Sequence, residues 1–120
     1  MKNPEIEHHF KTLCMKLSDH FGKEPDLQAI LFLIGVDELN LIKTKFNKEE
    51  KQDLMHVGVC KVLSYSDYYE LAGLDEEGWP HYNCLKPLSN MNLLEQEDLI
   101  KAHVVFHFQQ INFLEADISL

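Results

Sequence analysis

The spacing of apolar residues along the chain predicts four main helices. In the first segment, apolar side chains recur every three or four residues and form one stripe along a helix of about 4 to 21. Asn3 and Pro4 are typical of a helix start, and Gly22 is typical of a helix end. The stripe consists of Ile6, Phe10, Leu13, Cys14, Leu17 and Phe21.

The second segment, about 26 to 40, is apolar on most sides. A helix of this kind usually lies at the centre of a domain, where its neighbours cover it. Residues 29–36 could instead form a buried strand, because periodicity alone does not separate the two for a short apolar run. We favour a helix, because no second strand candidate in the sequence pairs with this run.

Two capping boxes predict the remaining main helices. Asn47 is followed three residues later by Glu50, and Asn92 by Glu95, which is the pattern that satisfies free backbone donors at a helix start. The predicted helices cover about 48 to 64 and about 93 to 113.

The region between these helices is predicted to be a short helix and a loop. A helix over residues 68–72 would end at Gly73, and residues 73–91 carry turn-forming residues without a helical period. A loop of this length is unusual in a compact domain and is often functional. The predicted fold class is all-α, a single-domain bundle (1–120) of four main helices with one short helix and a long ordered loop.

Composition agrees with one globular domain and restricts its partners. The chain has 120 residues, of which 45% are apolar, so it is long enough to bury one core. All 11 basic residues are Lys, and 20 acidic residues give a net charge of −9. Nucleic acid binding favours a basic surface and Arg side chains, so a nucleic acid partner is not expected.

Cysteine usage and the chain start predict a cytoplasmic protein. Cys14, Cys60 and Cys84 are odd in number and widely spaced, and the first residues are charged where a secretory signal would be apolar. The longest apolar stretch has eight residues, whereas about 20 are needed to span a bilayer. We therefore expect a reduced protein that does not interact with membranes.

One part of the sequence is rich in both aromatic and acidic residues. All four tyrosines and the only tryptophan lie within eighteen residues, interleaved with carboxylates. Tyr and Trp are enriched in protein interfaces, and carboxylates beside aromatic rings suit a partner that presents Lys or Arg. The predicted partner-binding residues are Tyr65, Tyr68, Tyr69, Asp75, Glu76, Glu77, Trp79 and Tyr82.

This pattern predicts a non-enzymatic protein-interaction module, with either another protein or a second copy of the chain as partner. The alternative interpretation is that the same side chains cover one end of the bundle, with their hydroxyl and indole groups pointing to water.

Histidine spacing supports a second hypothesis, a metal-binding helical bundle. His103 and His107 lie one turn apart and are predicted to point into the bundle. Two such imidazoles can chelate Zn²⁺ or another divalent transition metal, and His56 could supply a third ligand. The alternative is that these are core histidines with hydrogen-bond partners, in which case no cofactor is expected.

The string His103-x-x-x-His107-x-x-Gln110-Ile111 resembles the last helix of the damage-inducible four-helix bundle proteins that bind a metal through three histidines. The resemblance implies a third histidine on an earlier helix, a part that His56 would have to play. The chain is shorter than those proteins, and Gln109 stands where a glycine is common.

A broader resemblance involves residues 26–36 (DLQAILFLIGV), 52–56 (QDLMH), 68–70 (YYE) and 78–81 (GWPH). These segments resemble a family of small uncharacterised bacterial cytoplasmic proteins. The resemblance implies a bacterial cytoplasmic protein and brings no activity, cofactor or partner.

Sequence signatures of catalysis are mostly absent. The chain has no glycine-rich phosphate loop, nucleophile elbow or dinucleotide fingerprint. His56 and Cys60 have a spacing that could activate a thiolate, although such a pair often arises by chance. We therefore leave the question of an enzyme open and favour a protein without catalytic activity.

Overall fold

The structure, a computed structural model, describes residues 3–39 and 45–113. These residues form four helices and a two-stranded antiparallel sheet. The elements in chain order are α1 (Pro4–Phe21), α2 (Leu27–Asp37), α3 (Lys48–Ser64), β1 (Tyr69–Leu74), β2 (Pro80–Cys84) and α4 (Leu93–Gln110). The described residues fall into two compact units, one drawn from Met1–Asp26 and Leu88–Leu120 and the other from Leu27–Pro87.

The four main helices are present, and residues 29–36 are helical as favoured. α1 and α3 have the predicted limits, whereas α4 ends at Gln110 rather than 113. α2 ends at Asp37, and residue 40, where its end was predicted, lies outside the described residues.

The predicted all-α fold class is wrong, because residues 69–84 contain a β-hairpin. The segment 68–72, predicted as a short helix, lies mostly in β1, and the segment 73–91, predicted as a loop, contains β2. Asp67 has a φ of 63°, which separates the end of α3 from the strand that follows. The backbone of residues 69–74 pairs antiparallel with that of residues 80–84, and this long-range pairing favours strand over the predicted helix.

The first unit, which contains α1 and α4, is held by polar contacts as well as apolar ones. The Lys101 ammonium lies 3.0 Å from a Glu7 oxygen and 3.1 Å from a Glu97 oxygen, and 4.9 Å from the centre of the Phe10 ring. Burial lowers the pKa of Lys101, but hydrogen bonds and charge attraction from Glu7 and Glu97 outweigh it and raise the pKa above its ordinary value. Lys101 therefore stays charged although its side chain is only 7% exposed.

Local sequence also defines the ends of α1. The Asn3 side chain accepts hydrogen bonds from the backbone N–H groups of Glu5 and Ile6 at the start of the helix. Gly22 follows the helix with a φ of 78°, a left-handed conformation that favours glycine.

In the second unit, α2 and α3 contact each other through their backbones. A Cβ atom at Gly35 would overlap with the carbonyl oxygen of Leu54, and one at Gly58 would overlap with the carbonyl oxygen of Leu31. Each helix therefore places a glycine against the other. The buried apolar residues of this pair are Ile30, Leu31, Ile34, Leu54, Val57, Cys60, Val62 and Leu63.

Among the described helices, none combines the length and the apolar character required to cross a membrane.

Candidate functional site

Asp75 organises the turn between β1 and β2. Its Oδ1 atom accepts hydrogen bonds from the backbone N–H groups of Glu77 at 2.9 Å and Trp79 at 3.0 Å. Its own backbone N–H donates to the Trp79 carbonyl, and the Gly78 N–H donates to the Asp75 carbonyl. Gly78 adopts a φ of 87°, which a side chain would disfavour. The turn is therefore fixed by local hydrogen bonds.

Asp75 also binds a side chain of β2. Its Oδ2 atom accepts a hydrogen bond from Nε2 of His81 at 2.9 Å. This bond, together with the backbone N–H groups of Trp79 and Glu77, lowers the pKa of Asp75 below its ordinary value. The carboxylate is therefore ionised near neutral pH. Its hydrogen bonds connect the turn around Gly78 to His81 on β2.

A cleft of about 470 Å³ lies beside this turn, within the second unit. α3 forms one wall and the hairpin forms the other. The lining residues are Glu50, Asp53, His56 and Val57 on α3, and Asp75, Glu77, Trp79, Pro80 and His81 on the hairpin. The lining thus contains four carboxylates, two imidazoles and one indole ring, and it contains no Lys.

Helical spacing explains the wall on α3. Glu50, Asp53 and Val57 are separated by three and four residues, which places them on one side of the helix. Glu50 is held in position by the capping box, since its Oε1 atom accepts the backbone N–H of Asn47 at 3.0 Å. The cap that starts α3 therefore also orients one carboxylate of the cleft.

The predicted aromatic and acidic residues are only partly brought together. Asp75, Glu77 and Trp79 line the cleft, whereas Glu76, in the same turn, is exposed and does not line it. Trp79 is half-buried. None of the four tyrosines is part of the lining.

Two of the tyrosines lie against lysines. The Lys61 ammonium is 5.5 Å from the centre of the Tyr65 ring, and the Lys86 ammonium is 4.6 Å from the centre of the Tyr68 ring. Both rings are half-buried. Both rings lie outside the cleft lining.

The other two tyrosines pack the hairpin against α3. The Tyr69 ring meets the His56 ring edge-on, with centres 6.2 Å apart. Tyr82 is half-buried, and its pKa is raised to about 12 by burial first and then by the negative charge of Glu38 and by Cys60. Tyr69 does not line the cleft but contacts His56, which does.

The sequence interpretation missed most of the cleft. It assigned His56 to a metal site, gave Glu50 only a capping role at the start of a helix, and named neither Asp53 nor His81 as a binding residue. The carboxylates on α3 have a helical spacing that is visible in the sequence. Only the packing of the hairpin on α3, however, brings them beside Trp79.

The pair of His56 and Cys60 does not have the features of an activated thiolate. The Cys60 sulfur lies 3.4 Å from Nε2 of His56, but the residue is only 1% exposed. Burial, and to a smaller extent Cys84, raises the pKa of Cys60 to about 11. The thiol is therefore neutral near pH 7, whereas nucleophilic catalysis requires the thiolate.

The histidines of α4 are buried, at 3% exposure for His103 and 8% for His107. Nδ1 of His103 donates a hydrogen bond to the Leu99 carbonyl at 2.7 Å. Burial lowers the pKa of His103, and this hydrogen bond offsets only part of the effect. His103 is therefore a neutral core histidine with a backbone partner.

The proposed metal ligands belong to different units, with His56 in the second and His103 and His107 in the first. Across residues 3–39 and 45–113, no three His, Cys, Asp or Glu side chains form a group that could hold a metal ion. A site for Zn²⁺ or another divalent transition metal at His56, His103 and His107 therefore stays a prediction.

Comparisons with protein-family models, curated proteins and solved structures find no match to this chain. The case for a function therefore rests on the cleft.

Proposed function

We propose that this protein is a non-enzymatic interaction module that holds a Lys- or Arg-bearing segment of a partner protein in the cleft between α3 and the hairpin. The observation that carries this proposal is the lining itself, in which carboxylates of both walls occur in one cleft with the Trp79 ring. A cation held there would contact the ring face and the carboxylates together.

The electrostatics of the region favour a basic partner. No Lys or Arg occurs between Lys61 and Lys86, while five acidic residues do. Charges of one sign that line a cleft raise the local concentration of the opposite charge and speed association. The net charge of −9 opposes close approach of two copies at this surface. We therefore propose a different, basic protein as the partner rather than a second copy.

The geometry of the turn supports binding at low entropic cost. Asp75 already fixes the backbone on either side of Gly78 through its hydrogen bonds. Because little of the site has to be ordered on binding, more of the contact energy contributes to affinity. The cleft volume of about 470 Å³ is within the range of small-ligand sites and can take a long basic side chain.

The fluorescence of Trp79 tests the proposal directly, because it is the only tryptophan in the chain. The probe is a capped pentapeptide, Gly-Gly-Arg-Gly-Gly, and the control replaces Arg with Gln. We expect saturable change in Trp79 emission with the Arg peptide, weakening as salt is added, and none with the Gln peptide. An equal response to both peptides would contradict a cation site.

Two neighbouring glutamates give a matched test of position. Glu77 lines the cleft and Glu76 does not, although both belong to the same turn. Glu77→Gln should weaken binding of the Arg peptide about threefold to tenfold, the effect of about 1 kcal/mol expected for one charge-assisted contact. Glu76→Gln should change it less than twofold. Equal effects would show that only the general negative charge matters.

Trp79→Ala tests the aromatic contribution with the natural partner. We expect loss of co-purifying protein from a cell extract, with the helical circular dichroism signal unchanged. Retention of the same partners by the variant would count against the proposal.

A further inference from the structure

The strand β1 has an open edge. Within the described residues the sheet consists of β1 and β2 alone, so β1 is hydrogen-bonded to a strand on one side only. Five of its six residues are exposed. An exposed edge of this kind carries backbone donors and acceptors that can pair with an additional strand.

The apolar face of the sheet extends past the part that α3 covers. Leu71 pairs with Tyr82 and Leu74 pairs with Pro80, and directly opposed residues share a face. On this face Pro80 is buried and Tyr82 is half-buried. Leu71 is nevertheless 56% exposed and Leu74 is 48% exposed. The uncovered apolar side chains therefore belong to the edge strand.

β1 has only part of the protection that edge strands usually carry, namely one charged residue, Glu70, and one bulge. Lysine and proline are common protective devices, but the strand reads YELAGL and contains neither. A bulge at residue 72 interrupts the register between Leu71 and Gly73. Tyr69, Glu70 and Leu71 nevertheless pair with β2 without interruption, which leaves a regular stretch of edge.

Charge indicates what kind of strand would fit. Glu70 lies on the opposite face of β1 from Leu71, and Asp75, Glu76 and Glu77 follow the end of the strand. A second copy of the chain would bring the same carboxylates against each other. A basic segment would place its cations beside them, and opposite charges on adjacent strands are stabilising.

We infer that β1 takes up an extended segment of the basic partner as a third strand of the sheet. Its apolar side chains would cover Leu71 and Leu74, and Lys or Arg on its other face would lie beside Glu70. This inference rests on the proposed function, which supplies the basic character of the partner. It goes further by naming the backbone conformation of the partner and the edge that it uses.

Amide hydrogen exchange with a strand-forming basic peptide tests the inference. The probe is capped Lys-Val-Lys-Val-Lys-Val-Lys, and the control is the same peptide with every backbone nitrogen methylated, which removes its donors. We expect at least tenfold slower exchange at one or more amides of residues 69–74 with the probe only. Exchange unchanged at saturating probe would overturn the inference.

Two exposed leucines provide matched variants. Leu71→Lys places a charge on the edge strand and should weaken binding of the probe at least tenfold. Leu85, which is 47% exposed and follows β2, serves as the control, and Leu85→Lys should change binding less than twofold. Leu74→Lys provides a second edge variant if Leu71→Lys is poorly folded. Equal binding by both edge variants and the control would contradict a site on β1.

The Arg pentapeptide separates this inference from the proposed function, because its glycines do not favour a strand. Suppose that the pentapeptide changes Trp79 emission but the strand-forming probe leaves the β1 amides unprotected. Cation binding in the cleft is then supported, and the addition of a third strand is overturned. If the pentapeptide leaves Trp79 emission unchanged and the probe protects the β1 amides, the addition of a third strand is supported and cation binding in the cleft is overturned. A dimer that protects β1 without peptide would identify a second copy as the occupant and overturn the inference.

Discussion

The two units are each built on a pair of helices, but the pairs are joined by different physical means. In the first unit, Lys101 on α4 contacts Glu7 on α1, and the Asn3 N–H donates to Asp98 at 3.0 Å. In the second, Gly35 and Gly58 bring the backbones of α2 and α3 into contact. Polar side chains can adjust to a substitution, whereas backbone contact leaves no space for one.

This difference matters for the site, because the cleft belongs to the unit with the glycine contact. α3 packs on α2 with one side and supports the hairpin with another. A rigid position of α3 therefore holds Glu50 and Asp53 at a defined place relative to the turn. The following predictions are ordered from the largest expected effect to the smallest.

Substitution of either glycine should cause the largest loss of stability. Gly35→Ala or Gly58→Ala would force the two helices apart, because the nearest atoms are backbone rather than flexible side chain. We expect a loss of about 3 kcal/mol or more, the upper range for overpacked cores. Urea unfolding measures the loss, and Trp79 fluorescence follows the second unit itself.

Gly22→Ala is the matched control for this prediction. Gly22 has no atoms near the position of an added Cβ, and only its φ of 78° opposes a side chain. Its replacement should cost about 1 kcal/mol. Losses of similar size at Gly22 and Gly35 would show that conformational freedom, and not the close helix contact, is what matters.

Removal of the buried ammonium should have a smaller effect in the first unit. Lys101→Ala leaves Glu7 and Glu97 without their cation, but these carboxylates are 34% and 38% exposed and can be hydrated. We therefore expect a loss of about 2 kcal/mol, below the range for a fully buried pair. Differential scanning calorimetry measures it.

Lys11→Ala serves as the control for Lys101. Lys11 lies 2.8 Å from Glu24, but its side chain is 65% exposed. Surface pairs of this kind contribute little, so we expect no measurable shift of the melting temperature. A shift as large as that of Lys101→Ala would show that burial is not what makes the Lys101 contacts important.

The first unit should also become less stable as the solution is acidified. Burial lowers the pKa of His103 in the folded state, so folding favours the neutral ring. The contribution of His103 to the free energy of unfolding is present above the unfolded pKa of about 6.5 and is lost as pH falls below it. Urea midpoints at pH 7.5 and 5.5 should differ less for His103→Gln than for the original chain. An unchanged pH dependence would contradict this assignment.

The smallest predicted effect is spectroscopic. Burial raises the pKa of Tyr82 to about 12, so the folded state favours the neutral phenol. That contribution is present below the unfolded pKa of about 10 and is lost as pH rises through 12. An alkaline titration followed by tyrosinate absorbance should therefore show a step near pH 12, and Tyr82→Phe should remove this step. A late step that persists in the variant must belong to another tyrosine.

The helices were predictable because their limits depend on neighbours in the sequence. Asn47 with Glu50 and Asn92 with Glu95 form the capping boxes expected from their spacing. The hairpin was missed because residues 68–72 are too short for periodicity to separate helix from strand. Its pairing with residues 80–84 decided the outcome.

The residues of the candidate site also divide into those that the sequence indicated and those that only the folded structure brought together. Asp75, Glu77 and Trp79 were recognised because they lie close together in the sequence, and local hydrogen bonds also build their turn. Asp53 and His81 were not, because 28 positions of sequence separate them and neither is unusual alone. Tertiary packing brought them to one cleft and left the tyrosines outside it.

By itself, the amino-acid sequence determined the four helices, the acidic charge and the turn around Asp75, because each depends on interactions between residues a few positions apart. The tertiary structure alone decided that residues 69–74 form a strand, that α2 and α3 meet at their glycines, and that carboxylates of α3 line one cleft with Trp79. These features depend on contacts between distant segments, whose free energy exists only when the chain is folded.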